Sequence, residues 1–474
     1  MTHKTNNATC PGPVNRRSWL KIGGLSLGAL SSGLPPNLAQ LLAAEEQGRA
    51  ANDNFSVILF WANGGPSHID LFDLKPEAPT EYRGPSRPIQ TTVPGMEITD
   101  LLPQISQLGE KFTLLRSLHH ERAEHSGGSH RFLSGYPSVA ANLKRSEYPT
   151  IGSIVAKQLG ASAGGVPLFM GNTPLYGGGP AYLGPAFEAY MPNPNPSSAS
   201  GANTYNPKAI YKVPGTGDNL TITPEGIVTL NRRQGLLKTL DTLPGSIDAT
   251  GMMAAMDSFQ QRAVAMLSST RTRDAFDLDL ERESTRRRYG DTHWGKSLLT
   301  CRRLVEAGVR FVQCQATFRL KKETGRTSNW DDHSVNSHIF NAYREKLPSF
   351  DQSVSALVED LYARGLSERV LFIFCGEFGR TPRISYKDAT KRPGRDHWPR
   401  AMSVFLAGGG LKMGQVIGAT NSKAEEPIER IMDSNCLLAT LYHRFGIDTH
   451  HAFLNRAGRP VPILTDGEPI PELL

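Results

Sequence analysis

The sequence predicts an α/β protein built on a doubly wound, mostly parallel sheet with helices on both faces. Three observations carry that expectation. Short apolar runs of strand length alternate with longer stretches of helical apolar spacing. Those strand-like runs are mostly apolar, as the strands of a sheet covered on both faces are. Histidines and acids gather just beyond the runs, where the loops at the carboxyl ends of parallel strands converge on one crevice. With 474 residues, 39% of them hydrophobic, the chain is long enough to bury a large core as one big domain with insertions.

The strand candidates begin with Phe55 to Trp61, followed by Gly64-Gly65-Pro66-Ser67-His68-Ile69-Asp70 and Asp73. The second, Lys111 to Leu118, leads into His119, His120, His125 and His130, read as a loop of four histidines with Arg122, Glu124 and Arg131 among them. Val309 to Gln315 precedes Trp330-Asp331-Asp332-His333 and His338; Arg369 to Cys375 precedes Glu377; Ala401 to Ala407 follows Asp396-His397. Helical spacing marks Thr150 to Leu159, Ala254 to Leu267, Ser297 to Glu306, Leu347 to Tyr362 and Ile431 to Phe445. A segment rich in Gly, Pro, Asn, Ser and Tyr, around 166–250, reads as an irregular insertion. Its Tyr182, Tyr190 and Tyr205 could stack on a sugar or cover a core edge.

The amino-terminal segment has its own pattern. Arg16-Arg17 precede a weakly apolar, Gly- and Ser-rich stretch from Ile22 to Leu34 and then Ala43-Ala44. That is the form of a twin-arginine signal over residues 1–44, implying the export machinery as a partner and a periplasmic or secreted protein, with a polar linker at 45–54. The stretch is shorter than the ~20 residues a membrane span requires, so no stable span is expected. Four of the 52 basic side chains, Lys4, Arg16, Arg17 and Lys21, lie in this segment with no acid. The excess over the 45 acids therefore falls from +7 to +3 without it. Nucleic acid is thus not an expected partner. Four cysteines beyond Cys10 are widely spaced, with no C-x-x-C, and read as buried thiols.

Imidazole and carboxylate together form the ligand set of a hydrolytic metal centre. Eight of the 13 histidines lie in the four segments after strands. Asp70 or Asp73 could ligate a metal or cap the next element. Asp331 and Asp332 are adjacent carboxylates whose repulsion a metal would offset, or else an N-cap. Glu377 follows the most hydrophobic strand, where an acid is costly unless solvated, paired or metal-bound. Arg380 is its candidate partner, or a fork for an anionic substrate.

These segments resemble a secreted bacterial family, domain of unknown function 1501, described as sulfatase-like. The resemblance is carried by GGPSHIDLFDLKP, HSGGSHRFLSGYP, YLGPAF, CRRLVEAGVRFV, WDDH, GEFGRTP, GRDHWP and NRAGRP. It implies an alkaline-phosphatase-like fold and cleavage of phosphate or sulfate esters at one or two divalent metals, with zinc, manganese or calcium as candidates. Carried over, Glu377 replaces a metal-binding Asp and Phe378 a His. His397 matches the later metal or substrate histidine, and Asp331 with His333 resembles a D-x-x-x-H pair of shortened spacing. His125 takes the nucleophile position.

The chain departs from the wider pattern at Ala62-Asn63, where sulfatases place paired acids, at Phe378, and in lacking C-x-P-x-R. A formylglycine sulfatase is therefore not expected. The resulting expectation is a metal site drawn from His68, Asp70, Asp331, His333, Glu377 and His397. His125 acts as acid or base, and Arg122, Arg131 and Arg380 neutralise the anion of a small-molecule or glycan ester. The rival is a site that binds glycan without catalysis.

Overall fold

The computed structural model describes residues 54–143, 145–160, 166–172, 175–191, 270–325, 329–387 and 389–474. The expected signal segment, nearly all of the linker, the helix at 254–267 and the larger part of the irregular insertion lie outside the described residues.

An eight-stranded sheet forms the centre. Its strands are β1 (Ser56–Trp61), β2 (Phe112–His119), β3 (Phe169–Gly171), β4 (Phe311–Gln315), β5 (Val370–Cys375), β6 (Met402–Gly408), β7 (Gln415–Ile417) and β8 (Met432–Asp433). Their order is β7-β2-β6-β5-β1-β4-β3, with β8 also pairing with β2. Every pairing is parallel except the two made by β6, which runs against β2 and β5. That reversal matters for the site. The chain enters β6 at the edge where β1, β2, β4 and β5 end, so residues preceding β6 join those following the others.

All six residues of β1 are buried, as a strand covered on both faces requires. Alternate side chains go to opposite cores. Ile58 and Phe60 pack with Leu298 and Leu304 of α3 (His293–Ala307) and Leu347 and Leu357 of α4 (Ile339–Ala363). Val57, Leu59 and Trp61 share the other core with Phe132 of α1 (His125–Ser134), Val155 of α2 (Ile151–Gln158) and Leu441 of α5 (Ser434–Phe445). Each such side chain contributes about 1.5–3 kcal/mol on burial, and this sandwich holds the strand ends in place. The expected doubly wound, mostly parallel α/β class is the one observed.

Several boundaries differ from the sequence expectation. Helix α4 begins eight residues before Leu347, with Pro348 inside it, and its N-cap is His338, whose side chain accepts the Asn341 N–H. Neither Asp331 nor Asp332 caps it. The four-histidine segment is not all loop, because α1 starts at His125 and ends at Gly135 in a left-handed conformation, a standard helix stop. Strand β3 lies inside the segment read as irregular, since three residues are too few to show a period. Among the described residues no helix is long and apolar enough to cross a membrane.

Candidate metal centre

Four segments bring their side chains together at the carboxyl edge of the sheet. After β4, Asp331 Oδ1 lies 3.0 Å from His333 Nε2 and 3.1 Å from Nε2 of His397, which precedes β6. The two imidazole nitrogens are themselves 2.9 Å apart. From the start of α1, His125 places Nε2 3.5 Å from Asp331 Oδ2 and Nδ1 2.6 Å from Glu377 Oε1. His125, Asp331 and His397 each bring a ligand atom within 4.8 Å of the others and could hold a metal ion.

Hydrogen bonding at the far side of each ring defines what the near side offers. His397 Nδ1 faces the Ala123 carbonyl at 2.7 Å, which only accepts, so that nitrogen carries the proton. His333 Nδ1 faces Asp396 Oδ1 at 2.7 Å. Burial raises the Asp396 pKa, but Lys387 and His333 outweigh it and hold the group below its ordinary value, so this partner too is an acceptor. In neutral rings both Nε2 atoms therefore point lone pairs at each other and at Asp331 Oδ1. These three atoms lie within 2.9–3.1 Å of one another, with Arg380 Nη2 donating to the same Asp331 Oδ1 at 2.6 Å, and a cation between the two Nε2 atoms and the carboxylate would relieve the repulsion of their lone pairs. Ligands of a tetrahedral zinc ion with bonds of ~2.0–2.1 Å stand about 3.3 Å apart. The donor set thus fits a divalent metal, and a histidine ligand with its other nitrogen on a carboxylate or carbonyl is the usual outer arrangement.

Electrostatics agree with this division. Burial opposes ionisation of Asp331, but Arg380 first, then His125, His333 and His397, hold its carboxyl far below the usual range. Burial also opposes protonation of His125, yet its bonds to Asp331 and Glu377 raise that imidazole to about 9. Burial, reinforced by Arg380 and His125, lowers His397 against the pull of Asp331.

Of the residues expected from sequence, Asp331, His333, His397, His125 and Glu377 meet here. Glu377 is fully buried and accepts the Gly64 N–H at 2.8 Å besides holding His125, which makes it the orienting partner of His125. Arg380 pairs with Asp331 at 2.6 Å and not with Glu377. Three further donors go to the carbonyls of Gly64, Gly65 and Arg395, so four of its five N–H groups are engaged within the chain. Asp332 points away from Asp331 and pairs with buried Lys346 at 2.8 Å. The adjacent acids are thus separated by orientation, each with its own cation.

The structure does not bring His68 or Asp70 into the group. His68 is buried and bonded to the Ala424 carbonyl at 2.8 Å. Asp70 is gripped by both Nε and Nη2 of buried Arg395, at 2.7 and 3.0 Å, a pairing that consumes the carboxylate. Arg122 turns to the Ser138 carbonyl, and Arg131 ties α1 to Asp433 and Asn435 at 2.9 and 2.6 Å. Sequence reasoning passed over two contributors. Asp396 adjoins His397, and an acid beside a candidate ligand is a signal that could have found it. Tyr176 lies in the irregular segment, where nothing marked it; burial, then Glu377 and Asp331, raise its pKa.

No curated protein sequence matches the chain. Solved structures similar to it include a sulfatase from Pseudoalteromonas sp., at 11% identity and TM-score 0.38, covering 87% of this chain and 72% of that one. Phosphonate monoester hydrolase of Agrobacterium radiobacter is 11% identical with a TM-score of 0.36, covering 88% and 77%. That of Silicibacter pomeroyi is 11% identical with a TM-score of 0.31, covering 75% and 70%. Residues 54–474 match the model of the family described as protein of unknown function (DUF1501), and the chain belongs to that family.

Proposed function

We propose that this protein is a metal-dependent hydrolase of phosphate or sulfate esters, exported by the signal at residues 1–44, with Asp331, His333 and His397 holding the ion. The observation that carries the reading is the convergence of two imidazole Nε2 atoms and one carboxylate oxygen within 2.9–3.1 Å. A nitrogen-rich set suits zinc or manganese better than calcium, which takes six to eight oxygens.

A bound divalent ion supplies Lewis acidity toward an ester oxygen. The chain's own residues do the rest. Arg380 holds Asp331 ionised and oriented. Asp396 and the Ala123 carbonyl keep the protons of His333 and His397 on Nδ1, so neither Nε2 is blocked. The buried ring of Phe378 packs against His397, with centroids 4.4 Å apart and the planes tilted by 34°. His125, protonated, with Nδ1 held by Glu377 at 2.6 Å and Nε2 3.5 Å from Asp331 Oδ2, is the candidate general acid for the leaving oxygen. Because Arg122, Arg131 and Arg380 are bonded elsewhere, His125 is, among these four candidates, the cation that faces an anionic ester.

The test is elemental mass spectrometry of the chain purified without chelator or affinity metal, paired with His397→Ala. About one equivalent of metal, lost in the variant, supports the reading. No bound metal, and none taken up on reconstitution, overturns it and favours glycan binding without catalysis.

A further inference from the structure

The outer partner of His333 is itself held. Asp396 Oδ2 lies 2.7 Å from Lys387 Nζ while Oδ1 faces His333 Nδ1 at 2.7 Å. Its backbone is clamped to Thr381, whose hydroxyl accepts the Asp396 N–H at 2.9 Å and whose own N–H donates to the Asp396 carbonyl at 2.8 Å. The backbone N–H of Lys387 donates to the Ser334 hydroxyl at 3.0 Å, one residue after His333. Lysine, carboxylate and imidazole therefore form a line from solvent to the candidate metal position, with Lys387 67% exposed at its outer end.

We infer that Lys387 and Asp396 act together as a tautomer lock, fixing the proton of His333 on Nδ1 and so keeping Nε2 free to bind a divalent cation. The reasoning is one of donors and acceptors. An ammonium can only donate, so whatever atom of residue 396 faces Lys387 must accept. A carboxylate satisfies both neighbours because both its oxygens accept. An amide at the same place cannot: its oxygen turns to Lys387, its NH₂ group turns to His333, and Nδ1 must then become the acceptor. The His333 proton moves to Nε2, which points at His397 and Asp331. Losing the correct tautomer in this way, with geometry intact, is the known consequence of replacing the aspartate of a serine-protease triad by asparagine. In this chain the lysine is what decides how the amide turns. Asp396 is thus a positioning residue, acting through His333.

The inference rests on the metal reading for its purpose but not for its test. Full-length protein labelled with 15N-histidine is stripped of metal and studied by long-range 1H–15N correlation at a pH where the imidazoles are neutral, with His333→Gln assigning the resonance. The wild type is expected to show His333 protonated on Nδ1, Asp396→Asn to show it on Nε2, and Asp396→Asn with Lys387→Ala to return it to Nδ1, because the freed amide can then present its oxygen. Zinc affinity should fall about 10–100-fold in Asp396→Asn, as for loss of an outer-shell partner, and recover in the double variant and in Asp396→Glu. A His333 that keeps its Nδ1 proton in Asp396→Asn, or a double variant that does not return to it, overturns the lock. The expected tautomer pattern without zinc uptake by any form, wild type included, leaves the lock standing and overturns the metal reading instead.

Discussion

His333 Nε2 and His397 Nε2 stand 2.9 Å apart although each ring has its proton drawn to the opposite nitrogen. Two lone pairs at that distance, beside the Asp331 carboxylate, make a site whose strain a cation relieves. His333→Ala and His397→Ala should therefore each weaken zinc binding by more than the ~10–100-fold that losing an outer partner costs. Both variants should also melt no lower than the metal-free wild type, since removing either ring removes a repulsion. Isothermal titration with zinc and thermal melts of the stripped proteins check the two halves separately.

Gly64 connects the first strand to this centre through the backbone. Its φ is +107°, and a Cβ there would lie 2.4 Å from the Asp331 nitrogen and 2.7 Å from the Trp330 carbonyl carbon. The conformation alone costs a residue with a side chain about 1–2 kcal/mol, and the contact adds to it because backbone must move. Gly64→Ala is expected to lower stability by at least that amount and to shift Asp331 away from His333 and His397. Chemical denaturation should show the first effect, and reduced zinc affinity of the folded fraction the second.

The sheet and the edge that carries the site are legible in the sequence because mostly apolar runs of strand length announce burial and because polar residues after a strand have few places to go. His125, Asp331, His333, Glu377 and His397 were each found by that argument. It failed where proximity to a strand end does not imply direction. His68 and Asp70 follow the end of β1 by seven and nine residues, yet Ala424 and Arg395 claim them, and both partners lie more than 300 residues away. The pairing of Arg380 with Asp331 instead of Glu377 likewise depends on how two loops cross, which residue spacing does not encode. Asp331 and Asp332 show the same limit within one dipeptide.

Asp332 and Lys346 are both fully buried and lie 2.8 Å apart. Lys346 also donates to the Asn329 carbonyl at 3.2 Å and lies over the Trp330 ring at 4.6 Å, so the pair braces the loop that presents Asp331. Removing one member of a buried pair strands the other charge, at a cost of about 3–5 kcal/mol. Lys346→Met should destabilise by that order, and Lys346→Met with Asp332→Asn should recover a substantial part, because the amide carries no charge to strand. Denaturant midpoints of the single and double variants measure both. A double variant no better than the single would mean that packing around Lys346, not charge, dominates.

His120 gives the fold a pH dependence separate from any metal. It is 4% exposed, and its Nε2 donates to the Glu377 carbonyl at 2.5 Å while its Nδ1 accepts the Arg122 N–H at 3.1 Å. That pattern can be met only by the neutral ring, since a protonated Nδ1 cannot accept. Burial lowers its pKa to about 4, against the opposing effect of the Glu377 bond. The unfolded chain, with an imidazole near 6.5, binds more protons than the folded one between these values, so stability rises with pH across that window. Its contribution is fully present above about pH 6.5, falls as the pH drops, and is lost below about 4, a total of roughly 3 kcal/mol. His120→Gln should flatten this part of the profile while leaving the acid limb due to carboxylates. Urea midpoints from pH 7 to 4 test the slope, and a His120 15N resonance that titrates near 6.5 in the folded protein would contradict the assignment.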